Sequence, residues 1–167
     1  MTNARVRILL VEDSDSDAEL ALTALAGRCQ ANQIVVVSDG EDALNYLYFR
    51  GSFSGRAPGN PSLIVLDIKM PKVDGLEVLR AIKTDEQLKV IPVVMLTSSR
   101  EERDVIESYR LGSNAYVVKP LVFAEFFEAV KELGVFWLKI NEPCPVGGEA
   151  QIKPAAGSSC AHERSHI

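Results

Sequence analysis

Leu63-Ile64-Val65-Leu66-Asp67-Ile68-Lys69-Met70-Pro71-Lys72-Val73-Asp74-Gly75-Leu76 is the stretch that decides the fold. It opens as a short run of branched apolar residues with no polar alternation, which predicts a strand over Leu63 to Asp67 buried on both faces. Met70-Pro71 and Asp74-Gly75 then break the chain. After Gly75 the apolar residues Leu76, Leu79 and Ile82 recur at helical spacing.

The same alternation runs outward in both directions. Upstream, Val6 to Val11 reads as a strand ending in Glu12-Asp13. Ser16-x-x-Glu19 reads as a capping box that opens a helix with Ala18, Ala21, Leu22 and Leu25 on one face. Gln33 to Val37 is a second strand, followed by a helix presenting Ala43, Leu44, Leu47 and Tyr48. Residues 49–61, dense in Gly, Pro and Ser, form a long loop. Downstream, Pro92 to Leu96 is the fourth strand, and Ser99-x-x-Glu102 is expected to cap a helix bearing Val105, Ile106 and Tyr109. Ala115 to Val118 is the fifth strand. The last helix runs from about Val122 to Leu138, with Phe123, Phe126, Phe127, Val130 and Leu133 on a broad apolar face and Gly134 a candidate break. Five strands alternating with five helices predict an α/β parallel sheet covered on both faces, and ligands then sit outside the carboxyl ends of its strands.

The composition suits that architecture. The chain has 167 residues, 47% hydrophobic and 25% charged, enough to bury a core without staples. A net charge of −5 argues against wrapping nucleic acid, and no apolar run approaches the ~20 residues of a membrane span. With no signal-peptide core at the N-terminus, a cytoplasmic protein is expected. Cys29, Cys144 and Cys160 have neither disulfide-framework nor zinc-ribbon spacing.

Glu12-Asp13, Asp67, Thr97 and Lys119-Pro120 stand at the ends of four of the predicted strands. Two like charges ~5 Å apart repel by ~3 kcal/mol at an effective dielectric near 20, so clustered carboxylates call for a counter-ion. Magnesium suits such oxygen donors, whereas no histidine lies near enough to suggest a softer metal. A carboxylate held beside a metal can attack phosphorus, and Asp67 is so placed, with Lys119 and Thr97 available to the phosphoryl oxygens.

Glu12-Asp13, Asp67-x-x-Met70-Pro71-x-x-Asp74-Gly75, Thr97-Ser98 and Tyr116-x-x-Lys119-Pro120, in that order, resemble the receiver domains of two-component response regulators, over roughly Val6 to Leu138. The resemblance implies a flavodoxin-like (βα)5 fold with strand order 2-1-3-4-5, Asp67 as phosphoacceptor for a histidine kinase, and Asp13 as the direct magnesium ligand. It further implies that Glu12 acts through water and that the Lys69 backbone carbonyl also ligates the ion. Thr97 and Tyr116 would form the switch pair, Lys119 would contact the phosphoryl group, and the peptide before Pro120 would be cis. The loop before the third strand and Phe136-Trp137-Leu138-x-x-Asn141-Glu142-Pro143 look like the single-domain regulators that partner bacterial phytochrome kinases. That narrower match implies a homodimer; the aromatic pair beyond the usual receiver end puts Phe136 and Trp137 at or near the contact, with the face of helix four, strand five and helix five that includes Tyr109 and Tyr116 as the rival interface.

A haloacid-dehalogenase-like phosphohydrolase would need a second aspartate where Lys69 stands, two residues after the nucleophile. A flavodoxin-like binding module would need a phosphate-cradling loop after the first strand, where Ser14, Asp15, Ser16 and Asp17 follow the acidic pair. Residues 1–142 are therefore expected to form the receiver unit. Residues 143–167, with Gly147, Gly148, Pro154 and Gly157, are expected to be a flexible tail too short for a DNA-binding output domain. Cys160, His162 and His166 in that tail are read as unstructured rather than as metal ligands.

Overall fold

The computed structural model describes residues 6–145. Strands β1 (Ile8–Val11), β2 (Ile34–Val37), β3 (Leu63–Leu66), β4 (Val93–Thr97) and β5 (Ala115–Val118) form one sheet in the order β2-β1-β3-β4-β5, with every neighbouring pair parallel. Helices α1 (Asp15–Leu25), α2 (Gly40–Leu47), α3 (Gly75–Thr84), α4 (Glu102–Leu111) and α5 (Phe123–Val135) connect and follow them. The flavodoxin-like order expected from the sequence is the one observed.

The two-residue period of the strands divides the core in two. Leu9, Val11, Ile64, Leu66, Val93 and Met95 pack with α2 and α3 on one face. Ile8, Leu10, Leu63, Val65, Val94 and Leu96 pack with α1 and α5 on the other. Burial on both faces explains why the central strands read as unbroken apolar runs. Strand order reverses between β1 and β3, so the crevice opens where Glu12, Asp13 and Asp67 follow those strands.

Several local expectations fail for identifiable reasons. Ser14, not Ser16, caps α1: its Oγ accepts the Asp17 N–H at 3.3 Å, and Ser16 and Glu19 lie exposed within the helix. Ser99 does not cap α4 either: the helix starts later, with Glu101 as its N-cap residue, and the Ser99 hydroxyl accepts the Glu101 N–H at 3.4 Å while donating to Asp104. Since α4 buries Asp104 and Ser108, Ile106 and Tyr109 are turned to solvent. Gly134 breaks nothing: a Cβ there would lie 2.8 Å from Leu25 Cδ2, so the missing side chain lets α5 approach α1. Phe123 is exposed rather than part of the apolar face of α5. Beyond α5, a π-helical turn, Phe136–Ile140, is closed by the Asn141 N–H on the Phe136 carbonyl at 2.7 Å. The Lys119–Pro120 peptide is trans, not cis, the isomer favoured in X–Pro bonds by about 0.5–1 kcal/mol. The expected tail falls almost wholly outside the described residues, as do Cys160, His162 and His166.

The long loop is pinned from within. Arg56 donates to the carbonyls of Tyr46, Ala57 and Gly59, and its guanidinium lies over the rings of Tyr46 and Phe49 at 4.1 and 3.6 Å.

Candidate functional site

The parallel register carries β1, β3, β4 and β5 to a common rim, so the residues just past their ends meet there. Glu12, Asp13 and Asp67 each offer a carboxylate oxygen, all within 4.8 Å of one another. Glu12 and Asp67 are buried and Asp13 is exposed, which leaves the cluster open to solvent on one side. Asp67 uses one oxygen to accept the Ile68 N–H at 2.7 Å and the other to accept from Lys119 Nζ at 3.1 Å.

Lys119 is the cation of the cluster. Its ammonium also pairs with Glu12 and, at 3.0 Å, with Asp17. Burial opposes its charge, but Glu12, Asp67 and Asp17 outweigh that and hold its pKa above the ordinary lysine range. Burial pushes Glu12 up to about 7, although Lys119 and the Ser14 N–H both pull it down. Asp17 was not singled out from sequence. As the third residue of α1 it points back to the rim, and the signal for it was Ser14-x-x-Asp17.

Two glycines shape the loop after Asp67. A Cβ on Gly75 would lie 2.0 Å from the Asp67 carbonyl oxygen, and one on Gly40 would lie 2.1 Å from that of Val73. Only glycine permits either approach. Asp74 caps α3 in a reciprocal box with Glu77, at 2.9 and 3.0 Å, so its role is to start the helix. Lys69 projects outward and pairs with Asp104 and Glu101 at 3.6 and 3.9 Å, which leaves no acid at the position a phosphohydrolase would need.

Thr97 is fully buried at the end of β4, and its Oγ1 accepts the Ser99 N–H at 3.3 Å. Tyr116 on β5 is half-buried and donates its hydroxyl to the Ser99 carbonyl at 3.1 Å. Sequence reading paired Thr97 with Tyr116 but missed that Ser99 joins them. Phe136 and Trp137 lie away from this site, ring to ring at 5.0 Å and 90°. Trp137 packs partly on the α1–α5 core, Phe136 is exposed, and the Leu138 carbonyl accepts from Arg7 at 2.8 Å.

The donor set is all oxygen, acidic and partly solvated, which fits a hard divalent cation. Among the described residues no helix is long and apolar enough to cross a membrane.

A family model described as response regulator receiver domain matches residues 8–131. Response regulator Rcp1 of Synechocystis sp. is 40% identical over 132 residues, 79% of this chain and 88% of that protein. The crystal structure of a Mn(2+)-bound form of response regulator Rcp1 superposes with a TM-score of 0.78 at 38% identity, covering 84% of this chain and 99% of that one. The phosphorylated cyanobacterial phytochrome response regulator RcpA gives 0.78 at 40% identity, covering 84% and 99%. The bacteriophytochrome response regulator AtBRR is 55% identical, with a TM-score of 0.64 and coverage of 83% and 99%.

Proposed function

The chain belongs to the response regulator receiver domain family, and from that premise we propose that it is a cytoplasmic receiver accepting a phosphoryl group on Asp67 from a histidine kinase, with a bacteriophytochrome as the sensor. The observation that carries the proposal is the buried Asp67 carboxylate at the end of the central strand, with an ammonium at 3.1 Å and two further acids beside it. Glu12, Asp13 and Asp67, with the Lys69 carbonyl, would hold magnesium, which when bound neutralises the clustered carboxylates and the incoming phosphoryl oxygens.

An Asp67 oxygen attacks phosphorus of the donor phosphohistidine. The P–N bond breaks, the imidazole leaves, and an acyl phosphate remains. Lys119 faces the same carboxylate and stabilises the added charge, and the Thr97 hydroxyl donates a further hydrogen bond. Leu121, Val122 and Phe123, exposed directly after Lys119-Pro120, offer the kinase an apolar contact beside the acceptor. The bacteriophytochrome assignment is supported by the relatives of that description, at up to 55% identity.

Residues 1–142 act as the receiver unit in this reading, and the arm that follows α5 makes a homodimer. Phe136 and Ile140 are 46% and 67% exposed, a surface that a second copy would cover, while Trp137 stiffens it from behind. Unphosphorylated protein should scatter light as a dimer, and replacing Phe136 and Trp137 by alanine should give a monomer. A monomeric wild type discards the arm.

The phosphoacceptor assignment is tested by incubating the protein, magnesium and a set of autophosphorylated histidine kinases. A bacteriophytochrome kinase should be the preferred donor, the label should be base-labile, and Asp67→Asn should abolish it without unfolding the chain. Label retained in that variant rejects Asp67.

A further inference from the structure

Ser99 spends each of its polar groups on a different partner. Its N–H goes to Thr97 Oγ1 at 3.3 Å, its carbonyl takes the Tyr116 hydroxyl at 3.1 Å, and its own hydroxyl donates to Asp104 Oδ2 at 2.6 Å. The last is the short, charge-assisted kind. Asp104 is 5% exposed and lies in the first turn of α4. An acid placed there only to complement the helix dipole would face water. This one is turned inward onto Ser99, with the ammonium of Lys69 at 3.6 Å and Arg103 Nε at 3.9 Å completing its surroundings.

We propose that Asp104 is a positioning residue of the switch: through Ser99 it holds Thr97 and Tyr116 in one arrangement, and that arrangement is the one that receives the phosphoryl group. The inference rests on the phosphoacceptor reading of Asp67. A hydroxyl that accepts the Ser99 N–H keeps its own proton free, so Thr97 is left with a donor for a phosphoryl oxygen. The same residue draws the Tyr116 ring in over the β4–α4 loop. Without Asp104 the Ser99 hydroxyl loses its charged acceptor, the loop loses its anchor on α4, and the held arrangement becomes a minor population. Phosphoryl affinity then falls in proportion to that population.

The test uses the full chain labelled with fluorotyrosine, the Tyr116 resonance being the one that Tyr116→Phe removes. Beryllofluoride with magnesium serves as the phosphoryl probe. In Asp104→Ala the Tyr116 resonance should move toward its solvent position even without metal, and the beryllofluoride midpoint should rise about tenfold, the scale of a lost charged hydrogen bond. Ser99→Ala should do the same, and the double variant no more than either single one, since both break one chain of contacts. Glu101→Gln, which leaves the Ser99–Asp104 bond in place, should change neither readout. An unmoved resonance with a midpoint within about twofold of wild type, in either single variant, overturns the proposal. If the wild type takes up no beryllofluoride, the phosphoacceptor reading is what fails. The metal-free Tyr116 resonance then decides the latch alone, supporting it if displaced in Asp104→Ala and overturning it if not.

Discussion

Replacing Lys119 by methionine removes the ammonium from a buried cluster and keeps most of the apolar stem. The side chain is 9% exposed, and the carboxylates it joins most closely, Glu12 and Asp67, are 3% and 6% exposed. With oxygens within 4.8 Å of each other and an effective dielectric near 20, two full carboxylate charges would repel by about 3.5 kcal/mol or more, a cost that the ammonium offsets and that Glu12, already pushed up to about 7, avoids in its absence by taking a proton. Removing one partner of a buried ion pair typically costs about 3–5 kcal/mol. Asp17, 31% exposed, can turn to water and adds little. The fall in stability should therefore be about 3 kcal/mol, a large share of the ~5–15 kcal/mol available to a small domain. In metal-free buffer the urea midpoint should drop by about 1–2 M with the slope unchanged. Millimolar magnesium should raise the variant's midpoint more than the wild type's, because the carboxylates left without an ammonium attract a cation more strongly. Lys131→Met, which removes a half-exposed lysine paired, among the described residues, only with Glu128, controls for the change in net charge. A Lys119→Met midpoint within about 0.3 M of wild type would refute the reasoning, as would equal gains from magnesium in both proteins.

Asp13→Ala deletes the one exposed acid of the cluster, so calorimetric magnesium binding should vanish while metal-free stability stays level or rises; a fall beyond about 1 kcal/mol would make Asp13 a structural cap. Gly75→Ala drives a Cβ against the Asp67 backbone and should cost about 3 kcal/mol by urea titration, with slowed phosphotransfer in what remains folded. Asp39 caps α2 through the Asp42 N–H at 2.8 Å, and that bond, helped by Lys72, holds its pKa below the usual carboxylate range. Its contribution is thus present above the unfolded pKa and lost as pH falls through the folded one. Asp39→Ala should cost about 1 kcal/mol at neutral pH, and the two melting curves should converge in acid.

The sheet and the strand-end residues were legible because their geometry leaves little choice. A continuous apolar run buried on both faces must emerge at the rim, so Glu12, Asp67, Thr97 and Lys119 could be placed from the chain alone. What escaped was Asp17 on Lys119 and Asp104 on Ser99, and both omissions have one cause. Each is the third residue of its helix, counted from Ser14 in α1 and from Glu101 in α4. Helical side chains lean toward the N-terminus, so an acid in that position reaches back over the strand end it follows. Taking Ser16 as the first cap makes Asp17 the first helical residue, and taking Ser99 as the second puts Asp104 in the next turn. An error of two residues, late in one case and early in the other, removed both acids from the site. The serine hydroxyls misled because several near a helix start compete for the cap, and only the packed loops decide which one takes it. Ser99 stands two residues before the Glu101 cap, so its hydroxyl donates to Asp104 while accepting the Glu101 N–H rather than one inside the helix, and its backbone is left free to join Thr97 to Tyr116.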